Sequence, residues 1–288
     1  MKILVLSENT CRRDTETDSA PGSPLPAFSG AETEHGLSLW IATQHHAVIF
    51  DTGASDMLIR NAARAGIDLS RADTVILSHG HYDHGGGLGY LLRHNSHARI
   101  LIQKNALESF YSLHEKPVYI GLPQDLRLPP RAELLTEDLR LDDELYLMSG
   151  IKKETPAPEF GHPLMIKTAA GLIRDDFRHE QCLMVSENGF QVLFSGCAHN
   201  GIVNIMRHSR KLFNRDPDIV VSGFHLKQKT APSDKDSAVI TGIAEELMKF
   251  RSRYYTCHCT GIPQYEIMKK VLGDRLHYLH AGDKLELQ

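Results

Sequence analysis

Short runs of β-branched and aromatic residues recur along the chain, and each breaks into small residues carrying Asp, His or Cys. Five segments share this design: "HAVIFDTG" (46–53), "TVILSHGHYDH" (74–84), "QVLFSGCAHNG" (191–201), "DIVVSGFHL" (218–226) and "YYTCHCTG" (254–261). Short apolar runs bounded by glycine predict buried strands, and "MKILVLSENT" predicts a first strand in the same way. Helical periodicity falls over Met57–Ala65, Ile202–Leu212, Ala238–Phe250 and Ile267–Leu272. In the third of these, Ile240, Ile243, Ala244, Leu247 and Met248 share one face. Strands alternating with helices of this length predict an α/β sheet protein. Binding side chains in such proteins gather where strands end and loops begin. The five polar strand ends are therefore expected to converge on one pocket.

Two stretches interrupt this rhythm. Residues 104–165 contain "KPVYIGLPQDLRLPPRAELL" and "KKETPAPEFGHPL", rich in proline and charge and without strand-end chemistry. They predict an irregular insertion, a lid over the pocket near the seam between two halves of a single domain spanning 1–288. Residues 11–30 read as a polar loop rich in proline, serine and glycine.

Composition narrows the partners. A chain of 288 residues, 41% hydrophobic and with net charge −4, can bury a substantial core and has no general footprint for nucleic acid. No apolar run approaches the roughly 18–20 residues of a membrane span, and the first apolar run is too short for a signal-peptide core. Five cysteines are an odd, sparse set that points to reduced thiols. A cytoplasmic protein acting on a small anionic molecule is expected, with a second copy of the chain as a further partner if it oligomerises.

Histidine is the informative excess, with seventeen in the chain. In "HGHYDH", His79 and His81 stand at i and i+2 and project to one side of an extended segment. Asp83 and His84 follow on a turn and can face a second position. Imidazole with carboxylate suits zinc first, then iron or manganese, and the spacing offers two ligands to each of two divalent ions. A merely polar turn would not place four ligand-type residues in six directly after a buried strand.

This H-x-H-x-D-H motif is similar to the signature of the metallo-β-lactamase fold superfamily. "FDTG" and the order of the later loops extend the resemblance over most of the chain. More narrowly, "ETEHGLSLWI", "FDTG", "SHGHYDHGGGL", "FSGCAHNGIVNI", "GFHL" and "CHCTG" resemble a subgroup related to dihydropteroate synthase-like proteins. Many of its members carry the name 7,8-dihydropterin-6-methyl-4-(β-D-ribofuranosyl)aminobenzene-5′-phosphate synthase.

The resemblance implies a four-layer αβ/βα sandwich of two mixed sheets flanked by helices, with two metals at the sheet edge. It assigns His79 and His81 to the first ion, Asp83 and His84 to the second, and His258 to closing the second site. The alternative for His258 is a structural histidine or a small Cys-His-Cys clip. The usual Gly-His-Thr and Thr-Gly-Asp turns are replaced by "DDFRHEQC" and "SGCAH". His199 becomes the third ligand of the first metal. Cys197 occupies the place of a bridging Asp, as a bridging thiolate or an inert buried thiol, and Asp176 is a further candidate near the missing third ligand.

Asp51 is expected to orient a ligand histidine. His225 is expected to bind substrate or donate a proton, with a supporting histidine of the wall as its alternative. Lys227 could meet a phosphate, and Glu34 and His35 could line the rim. Gly85–Gly87 permit a tight turn or open a helix able to hold an anion. His45, His46, His94, His97, His114, His208, His277 and His280 are read as surface or packing residues.

Three functions fit these residues. The first is a metal-dependent hydrolase in which a hydroxide on a dinuclear centre attacks a small phosphate-containing substrate, a phosphodiester by preference. Asp83 and His225 would be its catalytic side chains. The second is a transferase that condenses a dihydropterin with an aminobenzene ribosyl phosphate and displaces diphosphate. The third is a non-catalytic metal- or ligand-binding protein of the same fold.

Overall fold

The predicted strand runs pair into sheets. The computed structural model describes residues 1–12, 22–158 and 160–287. Residues 13–21 of the polar 11–30 stretch, Glu159 of the 104–165 stretch and the terminal Gln288 lie outside the described residues.

One sheet of eight strands runs in the order Leu25–Pro26, Asp283–Glu286, Lys2–Ser7, Ser38–Ala42, Ala47–Phe50, Thr74–Leu77, Arg99–Gln103, Ala132–Leu135. A second sheet, of seven, runs Leu139–Arg140, Leu145–Met148, Cys182–Glu187, Phe190–Phe194, Ile219–Ser222, Arg253–Thr256, Leu276–Tyr278. Both are mixed. Ala47–Phe50, Thr74–Leu77 and Arg99–Gln103 are parallel neighbours, as are Phe190–Phe194, Ile219–Ser222 and Arg253–Thr256. Ser38–Ala42 and Cys182–Glu187 flank these runs antiparallel, and Leu276–Tyr278 continues the second run in parallel.

Side chains of alternate strand positions meet between the two sheets. Val5, Leu39, Phe50 and Ile76 from the first pack with Leu183, Phe194, Val221 and Tyr255 from the second, all buried. The outer faces are covered by helices. On the first sheet lie α1 (Met57–Arg64) and the single turns α2 (Tyr82–Gly85) and α3 (Leu88–Leu91). On the second lie α4 (Ile202–Phe213), α5 (Asp234–Met248) and α6 (Ile262–Leu272). This is the expected four-layer αβ/βα sandwich.

The predicted helices are present, those at Met57 and Ile202 starting as expected and the last two starting earlier. α5 begins at Asp234 because Ser233 and Asp236 form a capping box. α6 begins at Ile262, where Pro263 suits the first turn. No helix among the described residues is long and apolar enough to cross a membrane.

The 104–165 stretch is not irregular. Proline and charge conceal strands that join the sheet edges, Ala132–Leu135 on the first and Leu145–Met148 on the second. A third sheet of four strands, Gly171–Arg174, Leu164–Thr168, Phe110–Leu113 and Pro117–Tyr119, stands beside the pocket. Its alternating residues are only partly buried, so the hydrophobic pattern along the chain is weak there. Gly85–Gly87 join two short turns instead of opening a long helix. A Cβ on Gly87 would lie 2.0 Å from the Thr52 carbonyl oxygen and one on Gly86 2.4 Å from that of Ala54, so close packing explains these glycines.

Candidate metal centre

Five parallel strands end at one edge of the sandwich, and their loops turn inward there. Asp51 follows Phe50, Ser78 follows Leu77, and Cys197, His225 and His258 follow Phe194, Ser222 and Thr256. Several of these turns use the left-handed backbone region without glycine: Asp51 at φ 59°, Ala198 at 56°, His225 at 51° and His258 at 52°. Such residues persist where surrounding contacts over-determine them.

Buried carboxylates supply those contacts. Asp51, fully buried, accepts the Ser78 backbone N–H on Oδ1 at 2.7 Å. Its Oδ2 accepts the Ser78 hydroxyl at 2.7 Å and His84 Nδ1–H at 2.6 Å. Glu8 accepts the His258 backbone N–H at 2.6 Å. Glu180 accepts the N–H groups of His199 and Asn200 at 2.7 and 3.0 Å.

This scaffold decides which ring nitrogens face the pocket. The one hydroxyl hydrogen of Ser78 goes to Asp51, so Ser78 Oγ accepts from His79 Nδ1 at 2.8 Å. His79 Nε2 is left with a bare lone pair, buried and without a hydrogen-bond partner among the described residues. His258 Nδ1 donates to Asn9 Oδ1 at 2.8 Å, whose amide is oriented by its own Nδ2 donating to the His258 carbonyl. His258 Nε2 then faces His84 Nε2 and Asp83 Oδ2, each at 3.2 Å. Asp83 Oδ2 is 3.9 Å from His84 Nε2. Two imidazole nitrogens and a carboxylate oxygen thus converge on one point, an arrangement that suits a cation.

Burial opposes a charge on His84, but Asp51 and Asp83 outweigh it and push its pKa up to about 9, so without a metal a proton on Nε2 stands where a cation would sit. Burial likewise pushes Asp83 up, yet His84, His258 and His35 hold its carboxyl well below the usual range.

A second cluster lies alongside. His79, His81 and His199 form a triangle of rings with centroids 4.6, 4.9 and 4.8 Å apart. His81 Nε2 and both ring nitrogens of His199 are buried without partners among the described residues. His199 stacks on Phe177 at 4.5 Å and 6°. Burial first, then neighbouring imidazoles, lower all three; His81 falls to about 3. They present neutral, metal-ready nitrogens at neutral pH.

Cys197 stands between the clusters. Its Sγ is 3.1 Å from His84 Nε2. Its sulfur lies within 4.8 Å of ligand atoms of His79 and His199, of His84 and His258, and of His225 and Cys259. Burial, the neighbouring Cys259 and Asp83 push the Cys197 thiol up, so a thiolate there requires a cation. The donor set thus fits divalent metal binding.

Asp176 does not reach the site. It is exposed and pairs with Arg178 on the surface. Its neighbour Asp175 is the buried carboxylate, accepting from His179 Nε2 at 3.0 Å. His179 Nδ1 accepts the Gly80 N–H at 3.0 Å, between the two histidines of the motif. A one-residue difference in a turn reverses which aspartate faces in, and "DDFRHE" carries no periodicity to settle it. Asp175, His179, Glu8, Asn9, Glu180 and Cys259 are residues that sequence reasoning missed. A buried polar residue just past a strand end, as in "SEN" at 7–9, was the available signal.

The remaining candidates divide. His225 Nδ1 is buried and unpartnered among the described residues, and its ring is 4.1 Å from that of His199. His35 stacks on His258 at 5.0 Å, with Nε2 3.3 Å from Asp83 Oδ2. Glu34 faces away and accepts from Ser7, Ala54 and Ser55. Lys227 and, against expectation, His114 line the cavity above the clusters, about 1090 Å³ in volume.

Residues 32–166 match the family model described as the metallo-beta-lactamase superfamily. An uncharacterized protein of Methanocaldococcus jannaschii is 27% identical over 205 residues, 69% of this chain and 76% of that protein. From the same organism, 7,8-dihydropterin-6-methyl-4-(beta-D-ribofuranosyl)-aminobenzene-5'-phosphate synthase is 27% identical over 271 residues, 87% of this chain and 89% of that one. A crystal structure described as a metal-dependent hydrolase of the beta-lactamase superfamily is 29% identical, with TM-score 0.79 over 100% of this chain and 99% of that one. Zinc-bound PqqB from Methylobacterium extorquens, at 13% identity and TM-score 0.54 over all of both chains, shares the fold.

Proposed function

We propose that this chain, which carries the metallo-β-lactamase fold, is a metal-dependent hydrolase that uses two divalent cations on a small phosphate-containing ester. The observation carrying this reading is the set of buried imidazole nitrogens and the Asp83 carboxylate that converge on either side of Cys197. His79, His81 and His199 would hold one ion, and Asp83, His84 and His258 the other, with Cys197 touching both. Zinc suits an imidazole set that includes a thiol, and iron or manganese are the alternatives. Bound there, the ions supply Lewis acidity and a nucleophile from water near neutral pH.

The chain's own residues do the rest. Asp51 and Asn9 fix the tautomers of the ligand histidines. Asp83 presents Oδ2 between His258 and His35 at the cavity floor. His225 offers a proton from its unpartnered Nδ1 to a departing oxygen, and Lys227 at the cavity wall would meet a phosphate oxygen. Burial of the cluster excludes bulk water from these contacts. The whole chain 1–288 is read as one domain around this centre. Its free thiols suit a cytoplasmic setting.

A second reading is a transferase that joins a dihydropterin to an aminobenzene ribosyl phosphate, favoured by the synthase related over 87% of this chain. Chain loaded separately with zinc, manganese or iron should be assayed against phosphodiesters and against dihydropterin diphosphate with the ribosyl aminobenzene. Phosphodiester turnover that scales with metal content supports the hydrolase. Diphosphate release that requires both pterin and aminobenzene, with no ester turnover, replaces it with the transferase.

A further inference from the structure

The cavity has a second wall that the metal centre does not use. Three segments build it. The turn after Phe110–Leu113 brings His114, the turn before Leu164–Thr168 brings His162, and the loop beyond Ile219–Ser222 brings Lys229. The rings of His114 and His162 lie 3.7 Å apart between centroids. Ser112 Oγ sits 3.2 Å from His114 Nε2, one of the few polar contacts that this pair makes. Lost hydration, His162 and Lys229 together hold His114 below its ordinary pKa, and no carboxylate acts against them.

Carboxylates are scarce in this cavity. Asp83 lies on the floor with the histidine clusters, and Asp236 is engaged in the cap of α5, accepting from Ser233 N and Oγ at 3.0 and 2.7 Å. Among the described residues neither Lys227 nor Lys229 has an ion-pair partner. Converging N–H donors and ammonium groups without a counter-charge make an oxyanion site. One unpaired ammonium beside two imidazoles offers a phosphate several N–H contacts at once.

We propose that the wall formed by His114, His162 and Lys229 is a second oxyanion subsite, which binds a terminal phosphate monoester of the substrate remote from the reacting group. The inference rests on reading the cavity floor as the reaction centre, and it makes this wall the specificity-determining part of the site.

Binding tests it independently of turnover. Ribose 5-phosphate and ribose should be titrated calorimetrically into the full chain, once zinc-loaded and once EDTA-treated. Ribose 5-phosphate should bind both forms and ribose neither. A Lys229→Ala/His162→Ala double variant should weaken ribose 5-phosphate at least about tenfold in both forms, with an unchanged circular dichroism spectrum because both positions are exposed. No binding to the parent chain, loss of binding on EDTA treatment, or a double variant within about twofold of the parent would each overturn the subsite. Failure of the hydrolase reading appears instead as absent turnover with this binding intact.

Discussion

Asp51 reaches both halves of the candidate centre through Ser78: its Oδ2 takes His84 Nδ1–H directly at 2.6 Å and the Ser78 hydroxyl at 2.7 Å, and that hydroxyl in turn receives His79. One carboxylate therefore sets a tautomer in each cluster. Asp51→Asn should lower metal affinity about 10–100-fold at both positions, whereas Ser78→Ala should weaken only the His79 side. Competition with a chelator, followed by metal analysis of the protein, reads both. Equal loss of both ions in Ser78→Ala would contradict this division.

His84 and His258 meet at 3.2 Å although 174 residues separate them. Replacing either with Ala should reduce bound zinc from two ions per chain to one and remove most activity. Two ions retained in His258→Ala would rule out its place in the second site.

Asp175 and Asp176 are adjacent, and only the first is buried. Asp175→Ala leaves His179 without its acceptor and loosens the Gly80 backbone between His79 and His81, so a loss of about 2–3 kcal/mol is expected. Asp176→Ala should stay within about 0.5 kcal/mol of the parent. Urea unfolding of the two variants compares them, and equal midpoints would refute the assignment.

His46 sits between Asp73 and Asp142, at 3.2 and 2.7 Å. Burial pulls its pKa down, but the hydrogen bonds to both carboxylates prevail and raise it. A histidine raised in the folded state stabilises fully below its unfolded pKa of about 6.5, and that contribution fades as pH rises through the folded value. His46→Ala should cost about 0.5 kcal/mol at pH 5.5, because the pair is partly solvated, and less at pH 9. A cost that grows with pH would reverse the sign.

Gly87 and Gly89 are two residues apart and differ in what surrounds them. A Cβ at Gly87 meets the Thr52 carbonyl oxygen at 2.0 Å, while one at Gly89 meets nothing within 4 Å. Gly89→Ala, within the α3 turn, is expected to stabilise by about 0.5–1 kcal/mol. Gly87→Ala should cost more than about 3 kcal/mol. Thermal melts of the two variants should move in opposite directions.

Much of this was legible along the chain. The apolar runs at 47–50, 74–77, 191–194, 219–222 and 253–256 become neighbouring parallel strands because a doubly buried strand must be continuously apolar. The strand ends carry Asp51, His79, Cys197, His225 and His258, and the structure brings all of them to one edge. The strands inside 104–165 were hidden because they form half-exposed edges and a small third sheet, where burial leaves little pattern.

The sequence by itself determined which ligand-type residues would stand together, since His79, His81, Asp83 and His84 are set close by covalent spacing and local backbone geometry. It also determined that strand ends would be the meeting place. Tertiary structure alone decided which nitrogen of each ring faces in, because that follows from partners far away in the chain: Asp51 for His84, Asn9 for His258. It also decided Asp175 over Asp176, and brought His114, His162 and Lys229 together on one cavity wall. Side-chain direction in a loop is chosen by what packs behind it, and local sequence carries little of that information.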